Sequence, residues 1–210
     1  MAITSRLKTT KAKISQVNVN KDIIKIAAIQ MASGPNVGAN LSEAERLIEI
    51  AVNQGAKLIA LPEYVAIMGL KDTDKVKVRE ELGHGQIQDF LSSTAKKHKI
   101  WLVGGSIPLA CSDAKKVRNS CLVYDDKGKL AARYDKIHLF GLDLGNEHYH
   151  EEQTIEPGNS IQVVNTPFGK IGLSICYDLR FPELYRAMGE VNMIVVPSAF
   201  TDTTGKAHWE

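Results

Sequence analysis

The sequence predicts an α/β fold, and three stretches near its beginning support this prediction. Residues 22–31, DIIKIAAIQM, are rich in β-branched residues and have the length of a strand. Residues 34–57 carry apolar residues at helical spacing, and residues 57–64, KLIALPEY, form a second short apolar run. A strand, a helix and another strand in this order are typical of an α/β sheet.

The predicted first helix has an apolar face and a recognisable signal at each end. Asn40 is a candidate N-cap, because its side chain can accept a hydrogen bond from a free backbone N–H. Gly55 can close the helix in a left-handed conformation. The residues of the apolar face are Leu41, Ala44, Leu47, Ile48 and Ala51.

The rest of the chain continues this alternation, with two hairpins in its second half. Asp126, Lys127 and Gly128 supply the turn of one hairpin, and residues 166–169 supply the turn of the other. The predicted elements are a loop with a short helix (69–85), a helix (86–99), a strand (100–109), a hairpin (119–136), a long loop (137–158), a hairpin (160–176), a short helix opened by Pro182 (182–188) and a strand (193–197).

Composition indicates one globular domain of ordinary charge. The chain has 210 residues, of which 44% are hydrophobic, enough for one sizeable core. A net charge of +2 without a long single-sign block predicts no nucleic-acid surface. No stretch approaches the roughly 20 apolar residues of a membrane span. We therefore expect a soluble cytoplasmic protein.

Residues 1–21 differ from the rest of the chain in charge. They contain five basic residues and no acidic residue, whereas residues 22–210 carry 21 basic and 24 acidic residues and a net charge of −3. We interpret residues 1–21 as a disordered leader and residues 22–210 as the folded domain. A mitochondrial targeting segment is the alternative for the leader.

Three cysteines, Cys111, Cys121 and Cys176, suggest reduced thiols. An odd number without a CxxC pair fits neither a disulfide framework nor a zinc ribbon. Cys121 alternates with Val123 on one strand face, which favours a buried core residue. Cys111 lies in a polar loop, and we assign it no role. Cys176 needs separate consideration.

Three predicted strands end in reactive side chains. Glu63 follows one apolar run, Lys136 ends the first hairpin, and Cys176 ends the second. Ligands of open α/β sheets bind beyond strand ends, where side chains leave the packed layers. The three residues therefore predict one site, although each alone has an ordinary interpretation as a surface carboxylate, a solvated lysine or a core thiol.

The three side chains suit nucleophilic catalysis at a carbonyl group. A thiol attacks as the thiolate, so it needs a base such as Glu63 to accept its proton. Lys136 and the backbone N–H of Tyr177 can stabilise the negative charge that develops on the carbonyl oxygen. The sequence HYHEE at 148–152 suggests a metal site only weakly, because further ligands at defined spacing are missing.

Several long motifs closely resemble the nitrilase, or carbon–nitrogen hydrolase, superfamily. The motifs are ALPEY, RYDKIHLF, GLSICYDLRFPELYR and VVPSAFTDTTGKAHWE, with KIAAIQM, WLVGGSI, EPGNS and TPFGKIG between them. These motifs occur in the same order as in the family and together span nearly all of the chain from Ile23 to Glu210. The motifs around Cys176 and at the end of the sequence are most similar to the branch with deaminated glutathione amidase and ω-amidase.

The resemblance implies an α-β-β-α sandwich and a Glu–Lys–Cys triad of Glu63, Lys136 and Cys176. It implies a thioester intermediate, no metal or organic cofactor, and a homodimer or larger homo-oligomer. It also implies a supporting glutamate in the loop after the lysine; the candidate is Glu151, counted back from Pro157 and Gly158, and its neighbour Glu152 is the alternative. The residues expected in the substrate pocket are Tyr177, Arg180, Ser198, Phe200 and Thr201.

Two departures from the family pattern bear on function. Residues 141–150, GLDLGNEHYH, replace a segment that helps to shape the pocket in these amidases. The family continues with a helix and strands beyond the position of Glu210, so we expect a fragment or a naturally truncated chain. The expected substrate is a small carboxamide. The alternatives are an impaired truncated protein that acts as an interaction module, and a hydrolase of nitriles or N-carbamoyl compounds.

Overall fold

A computed structural model describes residues 24–145 and 147–209 of the chain. The predicted leader, residues 1–21, lies outside the described residues. The strands are β1 (Lys25–Ala28), β2 (Ala56–Ala60), β3 (Trp101–Val103), β4 (Ile107–Ala110), β5 (Val117–Tyr124), β6 (Leu130–Asp135), β7 (Gly141–Leu144), β8 (Glu147–His150), β9 (Gln162–Thr166), β10 (Gly169–Leu173) and β11 (Met193–Val195). The α-helices are α1 (Val37–Asn53), α2 (Asp74–Lys77), α3 (Gln86–His98), α4 (Pro182–Ala187) and α5 (Asp202–His208).

The larger sheet contains six strands in the order β1-β2-β3-β5-β4, with β6 paired to β5. Strands β1, β2 and β3 are parallel to one another, whereas β5 runs antiparallel to β3, β4 and β6. The parallel part contains the predicted strand–helix–strand unit, because β1, α1 and β2 follow one another. The predicted hairpin with its turn near Gly128 is confirmed as β5–β6.

Helices α1 and α3 cover one face of this sheet. Ile48 of α1 and Leu91 of α3 are fully buried and pack in one cluster with Ile59 and Leu102 of the sheet. Apolar side chains recur along each helix at the spacing of one face, so a single stripe enters this core. This packing accounts for the predicted helical pattern.

The N-terminus of α1 differs from its prediction. Asn36 is the N-cap, and its side chain accepts a hydrogen bond from the backbone N–H of Ala39 at 2.9 Å. Asn40 lies inside the helix, where its amide contacts Gly34 and donates to the carbonyl oxygen of Ala66 at 2.8 Å. The prediction of Asn40 as the cap was wrong, because tertiary contacts satisfy its amide instead.

A second sheet of three strands packs against the opposite face of the first. Its order is β11-β10-β9, and β9–β10 is the second predicted hairpin. Ile171 and Leu173 of β10 lie in one buried cluster with Leu58 and Val123 of the first sheet. On the far side of this second sheet, Met188, which directly follows α4, packs against Gly172. A Cβ atom at Gly172 would collide with the sulfur atom of Met188. The predicted α-β-β-α sandwich is therefore confirmed.

Two predicted segments contain more structure than expected. The strand predicted over 100–109 is two strands, β3 and β4, separated at Gly104 and Gly105. Gly105 has a φ of +64°, and a Cβ atom there would lie 2.0 Å from the carbonyl oxygen of Pro62. The predicted loop 137–158 contains the antiparallel pair β7–β8 and a short 3-10 helix, Glu151–Gln153.

The end of the described chain adds α5, which the sequence pattern did not indicate. The Thr201 hydroxyl group caps this helix by accepting a hydrogen bond from the Thr204 N–H at 3.1 Å. Among residues 24–145 and 147–209, no helix combines the length and apolar character that a membrane crossing requires.

Candidate active site

The two sheets bring the three predicted strand-end residues together. Glu63 lies three residues after β2, Lys136 directly follows β6, and Cys176 lies three residues after β10. All three are buried, with 3%, 1% and 8% of their surface exposed, respectively. The first sheet therefore supplies the carboxylate and the ammonium group, and the second sheet supplies the thiol.

Glu63 is held by hydrogen bonds from three directions. Its Oε1 atom accepts from Lys136 Nζ at 3.0 Å and from Asn119 Nδ2 at 3.0 Å. Its Oε2 atom accepts from the backbone N–H of Ala199 at 2.9 Å, across the boundary between the two sheets. These partners fix the orientation of the carboxyl group within the cluster.

Lys136 contacts a second glutamate, and this residue is Glu151. Its Nζ atom lies 3.0 Å from Glu151 Oε1 and 2.8 Å from Glu151 Oε2. Glu151 also accepts from the Tyr64 hydroxyl group at 2.6 Å and from the Phe140 N–H at 2.8 Å. Glu152 faces outward, with 58% of its side chain exposed, and contacts His150. The structure therefore places Glu151, and not Glu152, beside Lys136.

The environments of these groups shift their pKa values in different directions. Burial raises the pKa of Glu63, although the positive charge of Lys136 opposes this shift. Burial also acts to raise the pKa of Glu151, but Lys136 and the hydrogen-bond donors outweigh it and lower this pKa. Burial acts to lower the pKa of Lys136, and the two carboxylates reverse this effect and raise it. A carboxyl group with a raised pKa beside one with a lowered pKa is typical of acid–base sites.

Cys176 is the first residue of a short 3-10 helix, Cys176–Arg180, and its backbone is strained. Its φ angle is +46°, a conformation that residues other than glycine rarely adopt. Its backbone N–H donates to the carbonyl oxygen of Pro197 at 2.9 Å. Strained backbone of this kind persists where the surroundings impose it and is common at functional sites.

The buried carboxylate of Asp178 supports this turn through hydrogen bonds. It is fully buried, and its Oδ2 atom accepts from the Ile175 N–H at 2.9 Å and the Tyr134 hydroxyl group at 2.7 Å. Its Oδ1 atom accepts from the His138 N–H at 3.0 Å and contacts His138 Nδ1 at 2.7 Å. One carboxylate thus connects the segment before Cys176 to β6 and to the segment that follows β6.

The environment of Cys176 favours a neutral thiol at rest. Burial raises the pKa of the thiol well above its usual range, and the nearby negative charge of Glu63 raises it further. Lys136 and the backbone of Ala199 act in the opposite direction but are weaker. A thiol in this state needs a base when it attacks an electrophile, and Glu63 is adjacent.

A cavity of about 800 Å³ opens onto Cys176. Four of the five residues expected in the substrate pocket line it: Tyr177, Arg180, Phe200 and Thr201. Ser198 was also expected there, but it is not among the lining residues, and its hydroxyl group donates to the carbonyl oxygen of Val196 at 2.9 Å. Leu142 and Tyr149 of the β7–β8 hairpin also line the cavity, so the unusual segment 141–150 forms part of its wall.

Several residues of the site were not predicted from the sequence. Asn119 and Tyr64 contact the carboxylates of Glu63 and Glu151, and Asp178 holds the turn at Cys176. Asn119 lies between Arg118 and Ser120 on β5, so its polar side chain gave no distinctive signal in the sequence. Lys75 lines the cavity from α2, where only a polar interval with a short helix was predicted.

The remaining candidates lie outside the cluster. His148 and His150 both contact Asp143 Oδ1, at 2.7 and 3.1 Å, on the exposed hairpin. The part of the chain that the structure describes contains no group of three or more side chains suited to hold a metal ion. Cys121 is fully buried, as predicted, and burial raises the pKa of its thiol to about 12.

Comparisons with known proteins agree with this geometry. Residues 25–210 match the family described as Carbon-nitrogen hydrolase. The chain is 40% identical to a deaminated glutathione amidase of Synechocystis over 88% of this chain and 69% of that protein. It is 39% identical to Omega-amidase NIT2 of Danio rerio over 89% of this chain and 67% of that protein.

Solved structures show the same relationship. The chain resembles Saccharomyces cerevisiae Nit3, described as a member of branch 10 of the nitrilase superfamily, with a TM-score of 0.77 and 35% identity. The alignment covers 89% of this chain and 68% of that one. Relative to curated relatives, the chain spans between 61% and 69% of their length. The fold, the strand-end cluster and these matches together show that the chain belongs to the carbon–nitrogen hydrolase family.

Proposed function

We propose that this chain hydrolyses the C–N bond of a small carboxamide, with Cys176 as nucleophile and release of ammonia. The observation that carries the proposal is the convergence of Glu63 and Lys136 from one sheet on Cys176 from the other. A base, a cation and a thiol in a buried cluster beside a cavity are the groups that acyl transfer requires. The names of the relatives, deaminated glutathione amidase and omega-amidase, support this substrate class.

In the first half of the reaction, Glu63 accepts the thiol proton while sulfur attacks the amide carbon. The raised pKa of Glu63 makes its carboxylate a stronger base than an ordinary glutamate, which suits removal of a proton from a thiol that rests neutral. Lys136 Nζ and the Tyr177 N–H stabilise the oxygen anion of the tetrahedral intermediate. Glu63 then protonates the amide nitrogen, and the C–N bond breaks. Ammonia departs, and the acyl group remains on Cys176 as a thioester.

In the second half, Glu63 acts on water. It accepts a proton from a water molecule as the oxygen attacks the thioester carbon. The C–S bond breaks, the carboxylic acid leaves, and the proton returns to the sulfur of Cys176. Glu151 acts through Lys136 in both halves of the reaction, because its carboxylate holds the Lys136 ammonium group in place at 2.8 Å. We propose it as a positioning residue.

Replacement of the nucleophile tests the mechanism. We expect Cys176→Ala to reduce ammonia release by at least about a thousandfold, because no thioester can form. The thiol is small, so circular dichroism of the variant should match that of the unmodified chain. Cys111→Ala is the matched control, since Cys111 lies outside the cavity. Normal ammonia release by Cys176→Ala would exclude the thioester route.

A substrate panel tests the reaction class. The panel contains deaminated glutathione, α-ketoglutaramate, simple amides, nitriles and N-carbamoyl compounds, with ammonia release as the measurement. The proposal predicts turnover of the amides. Turnover of only nitriles or only N-carbamoyl compounds would replace the amidase assignment, and no turnover at all would favour an interaction module with this fold.

A further inference from the structure

Tyr64 directly follows Glu63 in the chain and contacts the second glutamate of the cluster. Its hydroxyl group donates to Glu151 Oε1 at 2.6 Å, which is the length of a strong hydrogen bond from a hydroxyl group to an ionised carboxylate. The same oxygen atom lies 3.0 Å from Lys136 Nζ, and this ammonium group also contacts Glu63 Oε1 at 3.0 Å. Two neighbouring residues of one turn therefore form the two ends of a single hydrogen-bonded network.

The backbone of this turn accounts for the presence of two neighbouring side chains in one network. Side chains of adjacent residues in an extended strand point to opposite sides. Tyr64 instead has a φ of +54°, in the left-handed region that residues other than glycine rarely adopt. Its backbone N–H donates to the hydroxyl oxygen of Ser106 at 3.0 Å, and Ser106 is fully buried in the connection between β3 and β4. A contact from another part of the first sheet thus holds the turn in this conformation.

Tyr64 differs from Phe140, another donor to Glu151, in its position along the chain. Phe140 and Glu151 flank the β7–β8 hairpin, so the hydrogen bond of 2.8 Å between them holds Glu151 relative to that hairpin. Tyr64 belongs to the turn that carries Glu63, and its hydrogen bond connects Glu151 to that turn. Among the residues that the structure describes, Lys136 is the one other donor to the Oε1 atom of Glu151.

The Tyr64 hydroxyl group keeps its proton in this position. Burial raises the pKa of Tyr64 well above its usual range, and the negative charges of Glu151 and Glu63 raise it further. The pKa of Glu151 is lowered, so the hydroxyl group is the donor and the carboxylate is the acceptor. Lys75 Nζ lies 5.4 Å from the centre of the Tyr64 ring, a distance at which a cation attracts the ring face. Both ends of the side chain are therefore held by specific contacts.

We propose that Tyr64 is a positioning residue, which holds Glu151 against Lys136 and so keeps the ammonium group where it stabilises the oxygen anion. The inference rests on the proposed amidase function, in which Lys136 has that task. Loss of the hydroxyl group lets Glu151 and Lys136 shift, and a small displacement of a charged group from the reacting carbonyl lowers the rate. Tyr64 also lines the cavity, so direct binding of the substrate is the alternative role.

Steady-state kinetics of Tyr64→Phe separate positioning from substrate binding. The variant keeps the ring and removes only the hydroxyl group. The substrate is the amide of the panel that the unmodified chain hydrolyses fastest. We expect kcat to fall about tenfold while KM changes less than about twofold, because the lost hydrogen bond supports the transition state and not the bound substrate.

Tyr124→Phe is the matched control for the kinetic experiment. Tyr124 is buried at the end of β5 and does not line the cavity, so kcat and KM of this variant should equal those of the unmodified chain. A KM raised about tenfold in Tyr64→Phe, with an unchanged kcat, would show that the Tyr64 hydroxyl group binds the substrate. This result would overturn the proposal.

A double-mutant cycle tests whether Tyr64 acts through Glu151, and it does not require turnover. The measurement is the rate at which the sulfur atom of Cys176 displaces iodide from iodoacetamide, followed by mass spectrometry of the alkylated peptide. Lys136 favours the thiolate, so displacement of its ammonium group should slow this reaction. We expect Tyr64→Phe and Glu151→Gln each to slow it about fivefold, and the double variant to react no more slowly than the slower single variant. Alkylation of Cys111 in the same samples should keep its rate, because Cys111 lies outside the cavity.

The cycle also distinguishes failure of the inference from failure of the proposed function. Effects of the two replacements that multiply in the double variant would show that Tyr64 does not act through Glu151, and would overturn the proposal. An unchanged alkylation rate of Cys176 in Tyr64→Phe would overturn it as well. If the unmodified chain hydrolyses no amide, the amidase assignment fails, while the alkylation cycle still decides whether Tyr64 positions Glu151 and Lys136.

Discussion

Glu63 and Glu151 are both glutamates in contact with Lys136, yet their environments shift the pKa values of their carboxyl groups in opposite directions. Glu63 is more completely buried, and burial raises its pKa. Glu151 gains donors from Tyr64 and Phe140 in addition to Lys136, and its pKa is lowered. Glu63 therefore accepts a proton more readily than Glu151. This difference is the physical basis for proposing Glu63 as the base and Glu151 as the support of Lys136.

Asn119 provides a test of this assignment at the level of one residue. Its amide donates to Glu63 Oε1 and so favours the charged carboxylate. Without this donor, the pKa of Glu63 should rise further, so more of the base is protonated at a given pH. We expect Asn119→Ala to lower kcat/KM by about tenfold at neutral pH and to move the acid limb of the pH–rate profile to higher pH.

The measurement is ammonia release as a function of pH. Asn165→Ala is the control, because Asn165 is an exposed residue of β9 away from the cavity. Its profile should coincide with that of the unmodified chain. An acid limb that stays in place or moves to lower pH in Asn119→Ala would contradict the role of Glu63 as the base.

At the level of elements, the turn at Cys176 depends on a buried carboxylate. The 3-10 helix from Cys176 to Arg180 is only five residues long and contributes little stability of its own. Asp178 accepts hydrogen bonds from Ile175, Tyr134 and His138, which belong to three different segments. The positive φ of Cys176 therefore depends on contacts that other parts of the chain provide.

Asp178→Asn tests this dependence. The replacement keeps the size of the side chain but puts an NH₂ group where a carboxylate oxygen accepts, so a buried donor loses its partner. We expect the free energy of unfolding to fall by about 3 kcal/mol, measured by urea denaturation. Tyr134→Phe removes only one of the donors and should cost about 1 kcal/mol. An equal loss in the two variants would show that Asp178 is no more than a partner of Tyr134.

At the scale of the whole molecule, two hairpins could be predicted from the sequence because each depends on residues that are close together in the chain. The hairpins β5–β6 and β9–β10 combine apolar strands with turns at Gly128 and Gly169. The β7–β8 hairpin was missed because its strands, GLDL and EHYH, have only four residues each, and EHYH contains no aliphatic residue. Asn40 was misassigned because its partners at Gly34 and Ala66 depend on the tertiary fold.

The candidate site was predictable in part for a related reason. Glu63, Lys136 and Cys176 stand at strand ends, and strand ends can be located from the sequence. Glu151 was the candidate by its spacing from Pro157 and Gly158, but Glu152 stayed open as the alternative, because neighbouring residues of a segment without a periodic pattern face different directions. Lys75 was also not predicted, since its place at the cavity depends on tertiary contacts such as that between its ammonium group and the Tyr64 ring.

The site lies across the boundary between the two sheets, so its geometry depends on how they dock. Ile171 is buried between the sheets, whereas Ile48 is buried between α1 and the first sheet, and both are at most 1% exposed. Replacement of either by alanine creates a cavity and should lower the free energy of unfolding by about 2–5 kcal/mol. Only Ile171→Ala loosens the contact that positions Cys176 relative to Glu63 and Lys136.

We therefore expect kcat to fall about tenfold in Ile171→Ala and to change less than about twofold in Ile48→Ala, measured well below the temperature at which either variant unfolds. The physical reason is that a small displacement between reacting groups costs rate even when the chain stays folded. Urea denaturation supplies the stability of each variant, and ammonia release supplies kcat. Equal losses of kcat at equal losses of stability would mean that sheet docking has no specific part in holding the site.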